Sequence, residues 1–364
     1  MSTERLRRRD FLKAGMGAAL GVATGSFTLG ALRWPVTPEK AVVSVVKVKG
    51  DKIESAVEEA IDLLGGIETV AKGKERIMLK PNLVAESPYC TTKPEVIKTL
   101  ARLLRASGKD VLIGEGSAAA GGFNAKHGES YRTRNKTILD GMQQYVFDQL
   151  GYTELAKSMH IPLINLHSGE MVDVSVPDAF AFKKIMLHHS LSEIDLLCSV
   201  PMMKTHTLAT VTLGMKNLIG LYPGTVYASV RAGVHDTAAN AGSPGIAYEI
   251  IDMVRANKLG LVVVDGSTAM EGDGPTGGSL VKMGLIIAGT SPLATDLVAA
   301  RTMGFETEEI PTFTYARQAG MRPTSLSDIE VRGEKINDVK RVFKKPTVYR
   351  WQDIRDVWGV KEMQ

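Results

Sequence analysis

The sequence predicts an α/β fold in which a mostly parallel sheet carries flanking helices, an inserted lid-like segment and a small C-terminal subdomain. Two observations predict this class. From residue 42 onward, short apolar runs rich in β-branched residues alternate with segments whose apolar residues recur at helical spacing. Polar and glycine-rich residues follow several of the apolar runs directly, as they do at the carboxyl ends of parallel strands.

The first half of the chain supplies one complete parallel unit. Residues 94–106 have apolar side chains at helical spacing, Pro94 in the first turn and Gly108 beyond the end, which together indicate a helix. Apolar runs lie on both sides of this helix, and a strand, helix and strand of this length favour a right-handed parallel crossover. The predicted elements are strands at 42–48, 76–79 and 111–113, and helices at 55–64 and 94–106.

The second half continues this alternation with longer insertions. The polar residues 121–137 predict an inserted lid. The predicted domains are a signal segment at 1–33, an α/β domain of one or two lobes at 42–304, and a C-terminal subdomain or tail at 305–364. The other predicted elements are a two-part helix at 141–159, strands at 172–176, 181–187, 194–200, 261–264 and 281–288, and helices at 246–256 and from 291.

The N-terminal segment resembles a twin-arginine export signal. Arg8 and Arg9 precede a free position and then Phe-Leu-Lys, and an uncharged stretch rich in glycine and alanine covers residues 14–32. This pattern predicts a partner, the twin-arginine translocation machinery, and a periplasmic or other extracytoplasmic location for a protein exported already folded. The alternative is a membrane-spanning helix or uncleaved anchor, and the membrane would then be contacted only through this segment.

The net charge of the chain is that of the signal segment. The chain has 44 Lys and Arg against 40 Asp and Glu, a net charge of +4, and residues 1–33 alone carry +4. The remainder is neutral overall, so the sequence gives no basis for nucleic-acid binding.

Cysteine content excludes one common cofactor. Cys90 and Cys198 are too few to supply the four thiolates of an ordinary iron–sulfur cluster, so we expect no such cluster held by this chain alone. A disulfide is compatible with an exported protein, and a buried free thiol at Cys198, inside a predicted strand, is the favoured alternative.

The stretch 200–220 concentrates residues that can carry chemistry. Lys204 and His206 follow a predicted strand, and Lys216 and Asn217 follow in a short segment bounded by glycines. Two cations, an imidazole and an amide predict a pocket for a small anionic ligand, a carboxylate or phosphate, with His206 and Lys204 as the catalytic residues. The lysines should lower the pKa of His206 and keep it available as a base. The alternative is a turn whose threonines cap a helix and whose lysines face water.

Two neighbouring strand ends add ligand-binding candidates. Lys80 and Asn82 leave one strand, and Glu115 and Ser117 leave the next one in a glycine turn. His235 is a further candidate, in the glycine- and alanine-rich stretch after the central segment. The glycine loop matches neither the Walker nor the dinucleotide fingerprint, and a simple turn is the alternative.

A third loop is acidic. Asp265, Glu271 and Asp273 are spread over residues 265–278, which are rich in glycine and follow another predicted strand. Their oxygen ligands, together with Glu115, predict a divalent metal such as Mg²⁺ or Ca²⁺, although the spacing is not that of an EF-hand. Capping of glycine turns by short carboxylates is the alternative. The sequence does not identify any other cofactor.

Several motifs stand in a fixed order along residues 42–304. They are Lys80-Pro-Asn-Leu, Gly114-Glu-Gly-Ser, Pro201-Met-Met-Lys-Thr-His, Gly214-Met-Lys-Asn-Leu-Ile-Gly, Asp265-Gly with Glu271-Gly-Asp-Gly-Pro, and Gly289-Thr-Ser-Pro-Leu-Ala-Thr-Asp. Together they resemble the DUF362 family, a domain of unknown function. Some relatives carry ferredoxin-like cysteine motifs that this chain lacks, so the resemblance implies no iron–sulfur cluster here.

Two classes of function follow from these residues. An exported enzyme that acts on a small anionic substrate, with or without a divalent metal, is favoured because titratable groups of opposite sign gather at strand ends. The alternative is a non-catalytic protein that uses the same cleft to hold a ligand or cofactor, or a redox-maturation protein of the iron–sulfur-associated group.

Overall fold

Strands and helices alternate along residues 40–353 and 361–362, which the computed structural model describes. The predicted export signal at 1–33 lies outside these residues. The strands are β1 (Ala41–Lys47), β2 (Arg76–Pro81), β3 (Asp110–Glu115), β4 (Ala125–Lys126), β5 (Glu129–Arg132), β6 (Leu163–Asn165), β7 (Met171–Ser175), β8 (Lys184–His188), β9 (Leu196–Val200), β10 (Met202–His206), β11 (Thr210–Thr212), β12 (Leu259–Glu271), β13 (Ser279–Val281), β14 (Leu285–Gly289), β15 (Ile329–Gly333) and β16 (Lys361–Glu362).

The helices vary from single turns to long amphipathic segments. They are α1 (Ile53–Asp62), α2 (Ile67–Val70), α3 (Pro94–Ala106), α4 (Lys136–Gln149), α5 (Tyr152–Met159), α6 (Gly214–Asn217), α7 (Gly224–Tyr227), α8 (Ala232–Ala241), α9 (Ala247–Arg255), α10 (Pro292–Thr302), α11 (Pro311–Gln318) and α12 (Ile336–Val339). Short 3₁₀ turns lie at Pro88–Cys90, His189–Leu191, Leu218–Leu221, Ser229–Arg231, Pro244–Ile246, Thr307–Glu309 and Leu326–Asp328. Within the described residues, none of the helices is long and apolar enough to cross a membrane.

An 11-stranded sheet forms the centre of the fold, in the order β15-β1-β14-β12-β9-β2-β3-β6, with β10, β11 and β13 joined beside β12. Strands β6, β3, β2, β9 and β12 run parallel to their neighbours in that order, whereas β14 is antiparallel to both β12 and β1. This arrangement confirms the predicted α/β class with a mostly parallel sheet.

Helices cover both faces of the sheet. Along β2, Ile77 and Leu79 belong to the core under α1, α3, α4 and α5, whereas Met78 belongs to the core under α9, α10 and α11. Successive side chains of a strand point to opposite faces, so strands buried on both sides are apolar throughout. This explains why the parallel strands appear in the sequence as continuous apolar runs.

Several predicted boundaries need correction. The acidic stretch 265–278 was expected to be a loop, but β12 continues through Glu271 because Ala269 and Met270 pair with β13. The predicted strand at 281–288 is divided between β13 and β14. The predicted strands at 172–176 and 181–187 form a separate hairpin of β7 and β8. In each case, pairing between distant residues decides where the strand begins and ends.

The inserted and C-terminal segments contact the main domain. The predicted lid contains the hairpin β4–β5, and β16 pairs with β5. After residue 305, β15 extends the central sheet by pairing parallel to β1, and Phe313 lies in the main core. Cys90 and Cys198 are both buried and unpaired.

The order in which strands are added to the sheet reverses between β2 and β9. From β2 the chain passes through α3 to β3 on one side, whereas β9 and β12 lie on the other side of β2. Open α/β sheets bind ligands in the crevice at the carboxyl ends of the strands, at this type of reversal. Lys80 and Asn82 lie at that end of β2, and β10, with Lys204 and His206, directly follows β9.

Candidate functional site

A buried ion pair joins the carboxyl ends of β2 and β3. Lys80 Nζ donates to both carboxylate oxygens of Glu115, at 2.8 and 2.9 Å, and to the carbonyl oxygen of Pro81 at 3.0 Å. The Glu115 carboxylate also accepts the backbone N–H groups of Leu83 and Gly116. Burial lowers the pKa of Lys80, and the Glu115 carboxylate opposes this shift. The charges of this pair are therefore compensated inside the protein.

Asn217 connects the ion pair to the central segment. Its Oδ1 accepts from Lys80 Nζ at 3.3 Å and from Asn82 Nδ2 at 3.2 Å. Its Nδ2 donates to the carbonyl oxygen of Lys80 at 3.2 Å and to Ser199 Oγ at 3.1 Å. Four predicted ligand-binding residues thus lie together, and Lys80, Glu115 and Asn217 hold one another in place. The fourth, Asn82, has a buried Oδ1 atom that accepts no hydrogen bond within the described part of the chain.

Two glycines and one aspartate fix the position of α6. A Cβ atom at Gly214 would lie 2.5 Å from Val262 Cγ1, and one at Gly220 would lie 2.5 Å from Glu115 Oε1. Only glycine fits at such distances. The buried Asp296 carboxylate accepts the backbone N–H groups of Gly214 at 2.7 Å and Met215 at 2.9 Å.

Lys204, on β10, is buried and held by neutral groups. Its Nζ donates to the carbonyl oxygens of Cys90 at 2.8 Å and Pro275 at 3.3 Å. Burial lowers its pKa to about 8. An ammonium group carries three N–H donors, so one remains for a ligand.

Lys216, on α6, has no hydrogen bond and no ion pair with any other residue that the structure describes. It is mostly buried. Burial, followed by the charges of Lys204, Lys80 and Arg231, lowers its pKa to about 7. The charges of Lys204, Lys80 and Arg231 therefore all act on Lys216.

Arg231 is a third buried cation whose hydrogen bonds go to neutral groups. Its guanidinium donates to the carbonyl oxygens of Ile219 at 3.0 Å and Gly220 at 3.2 Å, and to those of Gly116 and Ser117. Burial lowers its pKa to about 10. Within the described residues its charge has no carboxylate partner.

His206 has a defined tautomer. Its Nδ1 accepts the backbone N–H groups of Leu208 at 3.0 Å and Ala209 at 3.3 Å, so the ring hydrogen lies on Nε2. Burial and then the charge of Lys216 hold its pKa well below the usual range. His206 is therefore neutral and presents an N–H donor, whereas the predicted role as a base requires the other tautomer.

His235 completes what we call the basic cluster, comprising Lys204, His206, Lys216, Arg231 and His235. Its ring packs on Trp351 with centroids 4.4 Å apart. Burial and then the charge of Lys216 lower its pKa to about 3. Its Nδ1 is buried and has no hydrogen-bond partner within residues 40–353 and 361–362, and the same holds for the hydroxyl oxygens of Ser117, Thr207 and Thr212. Buried polar atoms are usually hydrogen-bonded, so these atoms mark positions where a ligand can be held.

Three residues that contribute to the site were not predicted. Asp296 anchors α6, Arg231 spans four carbonyl groups, and His167 donates from Nε2 to the Ser117 carbonyl at 2.8 Å while Nδ1 accepts from Gly224 N at 3.1 Å. Asp296 is an acidic residue in an otherwise apolar helix and ends the last sequence motif, which is a usable signal. The other two lie in stretches without a distinctive pattern.

The three acidic metal candidates are separated. Asp265 is buried and accepts from Ser267 Oγ at 2.6 Å and Lys93 N at 3.0 Å. Glu271 accepts from Lys344 N, and Asp273 from Thr347 N. Asp265 and Glu271 both lie on β12, but their hydrogen-bond donors belong to different segments of the chain. Across residues 40–353 and 361–362, no three His, Cys, Asp or Glu side chains are grouped as metal ligands. The divalent metal stays a prediction.

Two surface cavities lie away from the basic cluster. One, of about 760 Å³, borders the edge strand β6 and is lined by residues such as Asn165 and Lys157. The other, of about 250 Å³, lies beside Lys93 and Ser267. We place the candidate site at the basic cluster because uncompensated buried charge indicates a ligand more directly than open volume does.

Comparison with known proteins gives three similarities. A family model described as "Domain of unknown function (DUF362)" matches residues 77–301. A thylakoid-associated protein of Synechocystis sp. is 26% identical over 268 residues, which cover 73% of this chain and 74% of that protein. The solved structure of the lactate racemase apoprotein from Thermoanaerobacterium thermosaccharolyticum is 13% identical, with a TM-score of 0.43. The similarity covers 74% of this chain but 58% of that one.

Proposed function

The chain belongs to the DUF362 family, and we propose that its basic cluster binds a small anionic ligand, either a carboxylate or a phosphate. One observation carries the proposal. Lys204 and Arg231 are buried, Lys216 is half-buried and its pKa is lowered by burial and by the charges of both, and none of the three makes an ion pair within the described residues. The charge of Glu115 acts on all three, but its carboxylate is engaged directly by Lys80.

Electrostatics explains why an anion fits this cluster. Burying a charge without a counter-charge is costly, and like charges in a region of low dielectric repel one another strongly. The lowered pKa values of Lys204 and Lys216 express this cost. A bound anion offsets it, and the N–H group of His206 and the hydroxyl groups of Thr207 and Thr212 offer further hydrogen bonds. The alternative of lysines that merely face water does not suit Lys204, which is fully buried and anchored by two carbonyl groups.

We further propose that the protein is an enzyme acting on this anion. Lys216 and Lys204, with pKa values of about 7 and about 8, exchange protons near neutral pH, which general acid–base chemistry requires. A non-catalytic binding protein would use the same cluster without converting its ligand. Turnover of the ligand distinguishes the two.

Titration calorimetry with phosphate and with acetate tests the anion site. We expect saturable binding to the full-length protein and a loss of at least about tenfold in affinity for Lys204→Met and Lys216→Met, since charged hydrogen bonds to a ligand are strong. Lys98→Met, which changes an exposed lysine of α3, is the matched control. Equal binding by all three variants would remove the basis of the proposal.

Export through the twin-arginine route is a separate proposal. It is supported by the Arg8-Arg9 motif and, more weakly, by a relative described as thylakoid-associated. Replacing Arg8 and Arg9 with lysines preserves charge but removes the recognised pair, so we expect the protein to remain in the cytoplasm. Normal export of the double variant would contradict the proposal.

A divalent ion bound by Asp265, Glu271 and Asp273 also stays a proposal, supported by their oxygen ligands. The ion would have to draw together carboxylates that now accept separate N–H groups. A melting temperature that rises with millimolar Mg²⁺ or Ca²⁺, and does not rise for Asp265→Asn, is the expected result. If the melting temperature does not rise and elemental analysis finds no metal, these carboxylates only accept backbone hydrogen bonds and do not bind a metal.

A further inference from the structure

We propose that Lys216 is a nucleophile that forms an imine with an oxo acid, an anion that carries a ketone or aldehyde next to its carboxylate. The inference rests on the proposed anion site and specifies its substrate class. It follows from how differently the three lysines at this edge of the sheet are held.

Each lysine has a different set of partners. Lys80 makes four contacts, to Glu115, Pro81 and Asn217, and is fully engaged. Lys204 is anchored by two carbonyl groups and keeps one donor free. Lys216 alone of the three has an amine that makes no hydrogen bond or ion pair with any described residue. A nucleophile needs such a free amine, whereas a structural lysine needs partners.

The amine of Lys216 is also held in place through its backbone. Helix α6 is fixed at its start by Asp296 and at its end by the hydrogen bonds of Asn217 to Lys80 and Ser199. Strand β11, which directly precedes α6, pairs with β10 so that Thr212 lies opposite Lys204. Lys204 and Lys216 therefore extend from adjacent, rigid elements. Lys204 can bind a carboxylate while Lys216 attacks the carbonyl group next to it.

The cationic surroundings keep the amine reactive. An exposed lysine titrates near pH 10.4 and is almost entirely protonated at neutral pH. Burial and adjacent cations lower the pKa of Lys216 to about 7, which leaves a large neutral fraction. A lysine that is desolvated beside another cation is a recognised form of activated nucleophile. The carboxylate of an oxo acid would be held by Lys204 and Arg231, which leaves Lys216 to attack its carbonyl group, whereas acetate and phosphate carry no ketone or aldehyde and would contact all three cations.

The step balances without an oxidant or reductant. The neutral Nζ of Lys216 attacks the carbonyl carbon, a C–N bond forms, and the C=O π pair moves to the oxygen. The nitrogen transfers one of its two protons to that oxygen, which becomes a hydroxyl group. The hydroxyl group then leaves with the second nitrogen proton as water, and the C=N bond of the imine forms. One amine and one carbonyl are consumed, and one imine and one water are formed.

Reductive trapping tests this step on the full-length protein. The protein is incubated at neutral pH with pyruvate or 2-oxoglutarate and cyanoborohydride, whose hydride converts the imine to a stable secondary amine. Peptide mass spectrometry then locates the modified lysines. We expect modification of Lys216 to exceed that of the exposed Lys98 by about tenfold or more because burial and adjacent cations lower the pKa of Lys216. Acetone, which lacks the carboxylate, should label Lys216 far less.

Two variants and a competition complete the experiment. Lys216→Arg keeps the charge but forms no imine, so the selective adduct should disappear, whereas Lys98→Arg should retain it. Excess acetate should protect Lys216. Mapping of the wild-type protein decides the outcome even if Lys216→Arg folds poorly. No adduct on Lys216 with either oxo acid, or equal labelling of exposed lysines, overturns the proposal.

Calorimetry separates this result from the anion proposal. If acetate and phosphate bind to the cluster but Lys216 is not trapped, the imine is wrong and the anion site stands. If neither anion binds and no adduct forms, both proposals fail.

Discussion

The buried lysines at one sheet edge fall into two regions that are stabilised differently. In the first, Lys80 faces Glu115, and each charged atom has partners within the chain. In the second, Lys204 and Lys216 lie with Arg231 and have no acidic partner among the described residues. The comparison teaches that buried charge by itself does not identify a site. Compensated charge supports the fold, and uncompensated charge indicates what the fold is prepared to bind.

Removing the counter-charge of Lys80 in the first region should have the largest effect on the free energy of unfolding. Glu115→Gln leaves Lys80 buried without a counter-charge, and breaking a buried pair in this way costs about 3–5 kcal/mol. We expect the free energy of unfolding, measured with urea, to fall by that amount. The double variant Lys80→Met with Glu115→Gln should recover part of the loss, because the orphaned charge is then absent. If Glu115→Gln lowers the free energy of unfolding no more than a substitution of an exposed residue does, the ion pair does not stabilise the fold.

Loosening the element that carries Lys216 should have an intermediate effect. Asp296→Ala leaves the N–H groups of Gly214 and Met215 without their acceptor, and a buried unsatisfied donor costs about 1–3 kcal/mol. We expect lower stability and weaker anion binding together, because α6 is no longer fixed. Thermal melting and calorimetry on the same protein measure both. Unchanged anion binding would show that α6 does not position the site.

Removing a charge from the second region should cost little stability. Lys216→Met deletes a cation that has no partner, so we expect unfolding free energy within about 1 kcal/mol of wild type, or above it. The pH dependence sharpens this expectation. The pKa of folded Lys216 is lowered to about 7, so between pH 7 and 10 the unfolded chain holds a proton that the folded one has released. Wild-type stability should therefore rise across this range more than that of Lys216→Met, and identical pH profiles would contradict the assignment.

The smallest expected effect is the change of anion affinity with pH. As pH rises from 6 to 9, Lys216 and then Lys204 lose their protons, with pKa values of about 7 and about 8, so binding of acetate should weaken. Calorimetry at several pH values measures the slope. The slope should be shallower for Lys204→Met, and affinity that is independent of pH would place the anion elsewhere.

The sequence predicts the fold better than it predicts the site. The limits of α3 follow from local features, namely Pro94 at its start and apolar residues at helical spacing. The extension of β12 through Glu271 depends on pairing with β13, which no local pattern contains. The predicted site residues near β2, β3 and α6 do come together, because parallel strands bring their carboxyl ends to one edge.

Roles within the site depend on contacts that spacing does not reveal. The sequence shows Lys80, Lys204 and Lys216 as similar lysines in similar motifs, and only the position of Glu115 separates the paired one from the others. His206 was expected to be a base, but its backbone contacts define the tautomer that donates. Arg231 was not predicted because its partners are backbone carbonyl groups. Every residue has one, so they produce no pattern in the sequence.

The central claim is that the uncompensated cations form an anion site. Crystals of the full-length protein soaked in selenate, a phosphate-like oxyanion with strong anomalous scattering, test it most directly. We predict an anomalous peak at the basic cluster, with selenate oxygens within hydrogen-bonding distance of Lys216 Nζ and Lys204 Nζ, and no such peak in Lys216→Met. Selenate bound only at exposed lysines, with the basic cluster vacant in the wild-type protein, would contradict the account.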